Sequence, residues 1–252
     1  AFGAAPLIAR VPSGGASLDG ARAVVTGASR GIGEAVARSL AAAGASVALV
    51  ARKREPLERL VAELGGRAFA VPCDLGQASG VDGAVGTINA KLGGPPQILV
   101  NNAGLFRVAP LHDLAAGDFE SMVGVHLVAP FRLIRAFLSA MLAARSGHIV
   151  TIGSVADRAS WPGNAGYAAS KHGVRALHEV LRAETRGSGV RATLVSPGPT
   201  DTELWDELDP ESRATFPSPA EMLRPDDVAR AVLFALLQPP NVNVDELRIS
   251  RA

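Results

Sequence analysis

Cysteine is nearly absent from the 252 residues. Cys73 stands alone, which excludes an internal disulfide framework and any zinc site built on several cysteines. The histidines, at 112, 126, 148, 172 and 178, show no HExxH-type spacing, so no metal site is expected. Charge of one sign is missing too. With 25 basic and 24 acidic residues the formal net charge is +1, and no long-range field recruits nucleic acid or an anionic membrane. No apolar run reaches roughly 18 residues, so no membrane-spanning helix is expected. Aromatics make up 4% of the chain, with a single tyrosine, Tyr167. Among the basic residues only Lys53, Lys91 and Lys171 are lysines, so a lysine stands out wherever arginine could serve.

What is present is alternation. Short apolar runs at 23–26, 46–50, 68–71, 98–101, 148–153, 191–195 and 244–249 read as strands, several of them apolar throughout, as strands covered on both faces are. Between them, helical patterns fall at about 31–43, 55–64, 79–92, 117–144, 165–187 and 225–237. Pro56 and Pro225 open helices, and Gly44 and Gly65 follow helix ends. Repeated strand–helix–strand units with right-handed crossovers predict one doubly wound α/β domain: a parallel sheet of about seven strands with helices on both faces. We expect a flexible tail at 1–16, where Gly, Pro, Ala and Ser cannot bury a core, and the domain at 17–252. The long irregular stretch 200–223 is expected to be a substrate-side lid. The opening AFGAAPLIARVPSGGAS lacks the apolar core of a secretory signal, so cytoplasm is the default location.

The first predicted strand runs into TGASRGIG, with Gly27, Gly31 and Gly33 between strand and helix. Glycine admits positive φ, and its missing side chain lets backbone N–H groups and the helix N-terminus approach a diphosphate. In the first βα unit this context points to a dinucleotide. The motif resembles that of the short-chain dehydrogenase/reductase family, and further signatures follow in order: CDL at 73–75, NNAG at 101–104, Ser154 thirteen residues before Tyr167, YAASK at 167–171 and SPGPTDT at 196–202. The resemblance covers about residues 17–252 and implies a Rossmann-type fold. It implies that cofactor is held by Gly27, Ser29, Arg30, Gly31, Ile32 and Gly33, by Arg52, by Asp74 at the adenine ring and Leu75, and by Asn102, Ala103 and Gly104. Tyr167, Lys171, Pro197, Gly198, Thr200 and Thr202 complete the implied set.

The chemistry can be read from the residues. Tyr167 and Lys171 lie one helical turn apart and face the same way. A phenol's reference pKa of about 10 is too high for a base at neutral pH, and a neighbouring ammonium lowers it. Ser154 can hydrogen-bond the substrate oxygen beside the phenol, so Tyr167 is expected to donate or accept the proton that accompanies hydride transfer. The resemblance adds that Lys171 bonds the nicotinamide ribose. One departure stands out: where the family usually has an asparagine that helps hold a water by the lysine, this chain has His126, in VHLVAPF. Imidazole replacing the amide in that relay, a rerouted relay and an impaired site are the three alternatives.

After the second strand, where an acidic residue would grip a ribose 2′-hydroxyl, stands Ala51, followed by Arg52, Lys53 and Arg54. Guanidinium suits a 2′-phosphate, so NADP(H) is the expected cofactor. Phe106, Trp161 and Trp205, with Leu105 near them, predict an apolar substrate pocket. Arg158 reads as a surface arginine or an anchor for an acidic group. The ending NVNVDELRI resembles that of NADP-dependent enzymes acting on small 3-hydroxy acids. A 3-oxoacyl-thioester reductase and a non-catalytic dinucleotide sensor are the rival readings. A small-molecule carbonyl or alcohol is the expected partner, and the resemblance implies pairing of the helices at 117–144 and 165–187 in a homodimer or homotetramer.

Overall fold

The computed structural model describes residues 17–206 and 217–252. The expected tail and the middle of the expected lid lie outside the described residues. Seven strands form one sheet in the order β3-β2-β1-β4-β5-β6-β7, parallel throughout. They are β1 (Arg22–Thr26), β2 (Ser46–Ala51), β3 (Ala68–Pro72), β4 (Ile98–Asn101), β5 (Gly147–Ile152), β6 (Val190–Pro197) and β7 (Glu246–Ile249). The helices are α1 (Gly31–Ala42), α2 (Arg54–Leu64), α3 (Ala78–Leu92), α4 (Ala116–Val123), α5 (Ala129–Ala144), α6 (Ala165–Thr185) and α7 (Pro225–Leu236).

The runs apolar on both faces explain the layering. Ala23, Val25, Val47 and Leu49 point into one core cluster with α1, α2 and α7, while their neighbours Val24, Ala48 and Val50 point into the other with α3 and α5. Successive residues of a strand face opposite ways, so an uninterrupted apolar run feeds two cores. Each fully buried Val or Leu contributes roughly 1.5–3 kcal/mol.

Two elements differ from expectation. The helix expected over 117–144 is interrupted by a π turn, Gly124–Val128. Pro130, at the start of α5, has no N–H to offer the His126 carbonyl, and its ring crowds that carbonyl. The turn widens instead, and the Ala129 N–H bonds to Gly124 O, one residue further back than in an α-helix. Strand β7 starts two residues later than expected because the Asn243 side chain takes up the Ala192 N–H and C=O, at 2.9 and 3.0 Å.

By length and composition the helical stretch Ala116–Ala144 is apolar enough to cross a membrane, an 18-residue window within it having a mean hydropathy of 1.6. Asp118, Glu120, Arg132 and Arg135 interrupt it, so it is not a continuous apolar run. Here its buried stripe, including Leu133, Ile134, Phe137 and Met141, packs on the sheet as core.

Because every strand runs the same way, the C-terminal ends of β1, β4, β5 and β6 share one edge. The chain reverses its direction of winding between β1 and β4, which opens the crevice where open α/β sheets bind ligands.

Candidate active site

The glycine turn lies at that crevice. Gly31 turns the chain at φ 55°, a left-handed conformation that suits glycine, and leads into α1. A Cβ on Gly33 would sit 2.2 Å from Gly27 O, so only glycine lets the helix start so close to the strand end. No side chain caps α1, and its leading N–H groups are left for a ligand. The turn is tied to NNAG through Thr26, whose Oγ1 donates to Val100 O (3.2 Å) and accepts from Asn102 N (2.9 Å) and Ala103 N (3.1 Å). The Asn102 amide donates to Thr26 O at 2.9 Å. After β6, Gly198 N bonds Ile249 O (2.8 Å) and Thr200 Oγ1 donates to Gly198 O (3.0 Å). That course carries Thr202 onto the turn, where its Cγ2 would lie 2.9 Å from a Cβ on Gly31. Arg30 is exposed and donates to Glu203 O. Arg52, Lys53 and Arg54 are exposed beyond buried Ala51, and Asp74 is exposed beside buried Leu75 at the end of β3. This cradle of close glycines, uncapped helix N–H groups and exposed guanidiniums fits a phosphorylated dinucleotide.

Along the same edge, Ser154 follows β5 and opens a short 3-10 turn, Val155–Asp157. Its Oγ accepts the Ala156 N–H at 3.1 Å, which leaves its own proton to donate. Tyr167 and Lys171 come from the first turns of α6 and face the cleft, with the Lys171 ammonium 5.5 Å from the Tyr167 ring centre. Ser154 is near enough to the phenol for its hydroxyl to favour the ionised form. Lys171 is buried and donates to Ile152 O at 2.9 Å. Burial lowers its pKa to about 8, opposed by the negative charge of Asp157. The phenol departs from expectation. Its pKa is raised, first because burial penalises the phenolate, with the Ser154 hydroxyl opposing and Asp157 adding to the rise. Lys171 places one of its three N–H donors on a backbone carbonyl, and the net direction for the phenol is still upward.

His126, on the π turn, meets the Tyr167 ring edge-on, with centroids 5.3 Å apart. Its Nε2 accepts the Leu105 N–H at 3.0 Å, so in the neutral ring the proton sits on Nδ1, 2.7 Å from Ser170 Oγ. Ser170 Oγ in turn donates to Tyr167 O at 2.8 Å. Burial, then the positive charge of Lys171, hold His126 well below its ordinary pKa. Both ring nitrogens are therefore engaged by elements that frame the site, the loop after β4 through Leu105 and α6 through Ser170.

On the substrate side, Phe106 packs edge-on against Tyr167 (4.7 Å) and Trp205 (5.7 Å), and the Trp205 indole donates to Thr200 O at 3.0 Å. Trp161 is not brought to this cluster. It is 50% exposed, in the loop before α6 that pairs with the loop after β4 through Ala109 N and Gly163 O. Arg158 is held by Glu246 and lies 3.5 Å from Asp157, so its partners belong to the fold. Asp157 itself is the residue that sequence reasoning missed. It is 1% exposed, one turn from Ser154, in a stretch with no motif to mark it.

The short chain dehydrogenase family profile matches residues 21–213. Glycine betaine reductase ATRR of Emericella nidulans is 39% identical over 245 residues, which are 95% of this chain but 19% of that protein, so the chain spans about a fifth of that relative. D-threitol dehydrogenase of Mycolicibacterium smegmatis is 37% identical over 226 residues, 86% of each chain. Among solved structures, a metagenomic short-chain oxidoreductase in complex with NADP is 35% identical with a TM-score of 0.79, covering 93% of this chain and 99% of that one.

Proposed function

The chain belongs to the short-chain dehydrogenase/reductase family, and from that premise we propose that it is an NADP(H)-dependent oxidoreductase moving hydride between nicotinamide and a carbonyl or secondary alcohol, with Tyr167 as the proton-transfer group. The observation that carries the reading is that Tyr167 and buried Lys171, from the start of α6, meet the buried Ser154 turn after β5 at the edge where the glycine turn and NNAG converge.

When bound, the nicotinamide supplies or takes the hydride. The rest falls to the chain. Ser154 donates to the substrate oxygen and holds it against the phenol. Tyr167, kept protonated by burial, hands its proton to that oxygen as a carbonyl is reduced. Lys171, anchored on Ile152 O, offsets the charge left on the phenolate. In the alcohol-oxidising direction the phenol must first ionise, so that rate climbs as pH rises. Phe106 and Trp205 exclude water from one side of the phenol.

The 2′-phosphate of NADP(H) is taken by Arg52 and Arg30, since Ala51 brings no carboxylate to repel it. Steady-state kinetics with both nicotinamides test this. The expected kcat/KM favours NADPH, and Arg52→Ala mainly raises the KM for NADPH; a preference for NADH overturns it. The exposed apolar side chains Phe119, Val128 and Phe131 on the α4–α5 face, with Val180 on α6, support a homo-oligomer built on these helices.

A further inference from the structure

We propose that Asp157 is a positioning residue of this active site: its carboxylate clamps the Ser154 turn onto β6 and places a fixed negative charge behind Tyr167 and Lys171. The proposal rests on Tyr167 being the proton-transfer group.

The clamp is direct. Asp157 Oδ2 accepts from Ser196 Oγ on β6 at 2.5 Å and from Ser154 N at 3.3 Å, tying the turn that carries the serine to the neighbouring strand. The space is filled to contact: a Cβ on Gly153 would lie 2.5 Å from Oδ2. The other oxygen, Oδ1, is buried and makes no hydrogen bond among the described residues. It faces two guanidiniums, Arg158 at 3.5 Å and Arg175 at 4.0 Å, both also paired with Glu246 on β7. A carboxylate so enclosed is costly unless its charge is used or offset. Here the offset is incomplete, because each arginine is shared with Glu246, and Arg175 also with Glu179.

The carboxylate sits on the turn that Ser154 opens, three residues from it, so its charge is close to the site. The groups around the Tyr167 phenol are Ser154 and Asp157 on the 3-10 turn, Lys171 on α6 and neutral His126 on the π turn. The Asp157 charge raises the proton affinity of both Tyr167 and Lys171. It thus favours a phenol that arrives protonated and an ammonium that stays charged, which is the state that reduces a carbonyl. Both effects have one sign, so removing the charge moves both groups toward acid.

Tyr167 is the chain's only tyrosine, so tyrosinate absorbance reports its ionisation with no other phenol contributing and no turnover needed. Asp157→Asn keeps the shape and removes the charge. We expect the tyrosinate midpoint and the alkaline rise in alcohol oxidation to move together toward acid by roughly half to one pH unit. Arg175→Gln uncovers the carboxylate and should move both toward alkali, which gives a second reading should Asp157→Asn fold poorly. Ser196→Ala loosens the clamp without touching the charge and should lower kcat with the midpoint in place. Midpoints that stay put in both charge variants overturn the proposal. Native turnover in Tyr167→Phe instead overturns the proton-transfer reading on which it rests, a separate outcome.

Discussion

Tyr167 holds two opposing demands in one side chain. Burial favours the neutral phenol, yet the proposed proton transfer passes through a phenolate, which the Ser154 hydroxyl favours. Tyr167→Phe keeps the ring against Phe106 and His126 and removes only the hydroxyl. We expect kcat to fall roughly 10²–10⁴-fold, while NADPH affinity by fluorescence titration and the melting temperature stay near native. A kcat within threefold of native would remove the assignment. Ser154, Tyr167 and Lys171 were legible in sequence because their identities and spacings are chemical requirements. The direction of the phenol's pKa was not. It depends on how tightly other chain segments close over α6, and on Lys171 reaching the Ile152 carbonyl nineteen residues earlier. Asp157 was unreadable for a related reason, since an aspartate in a loop is ordinarily solvated and only the fold of β6 and α6 around it makes it a buried charge.

Most element boundaries were written in local signals: apolar runs for strands, Pro56 and Pro225 for helix starts, Gly65 for a helix end. The π turn had a signal as well, Pro130 inside an otherwise helical pattern, but its consequence depended on which carbonyl lost its partner. By absorbing that loss, the turn brings His126 against Tyr167, and the bonds from its ring to Leu105 and Ser170 join the loop after β4 to α6. His126 therefore acts as a brace between two elements. His126→Ala strands the Leu105 N–H and opens a void, at a cost of roughly 2–4 kcal/mol, or about 5–15 °C in melting temperature for a chain of this length. Asn is long enough to keep the Ser170 tie and too short for Leu105, so His126→Asn should fall between native and alanine. Because burial and Lys171 hold His126 well below its ordinary pKa, neither change should displace the limbs of the activity–pH profile. A displaced limb would restore the proton relay.

At the scale of the whole molecule, stability should fall off early in acid, and histidine is the cause. His148 on β5 pairs with Thr193 on β6 (2.8 Å), and His178 on α6 pairs with Thr151 (3.0 Å), both within the sandwich of sheet and helix. Burial, with Arg191 and the neighbouring His178 adding, lowers His148 to about 3; burial, then Arg182, lowers His178 to about 4 against a smaller opposing pull from the Ala192 backbone and Glu246. His126 is depressed as well. For such groups the sign runs against the folded state. Above about pH 6.5 both states are neutral and nothing is lost. Below it the unfolded chain takes up protons that the folded one refuses, so stability falls until the folded pKa values are reached. At pH 5 His148 and His178 each cost about 2 kcal/mol relative to pH 8, and His126 acts in the same direction. None of this was visible in scattered histidines with no spacing pattern, because the sheet register is what brings His148 to Thr193 and the packing of α6 is what brings His178 to Thr151. Urea unfolding at pH 8, 6.5 and 5 should show a steep drop over the last interval, while carboxylates are still ionised. His178→Gln should reduce that slope by up to about 1.4 kcal/mol per pH unit whatever it does to absolute stability, and a midpoint that holds level from pH 8 to pH 5 would mean that these imidazoles take up protons in the folded chain.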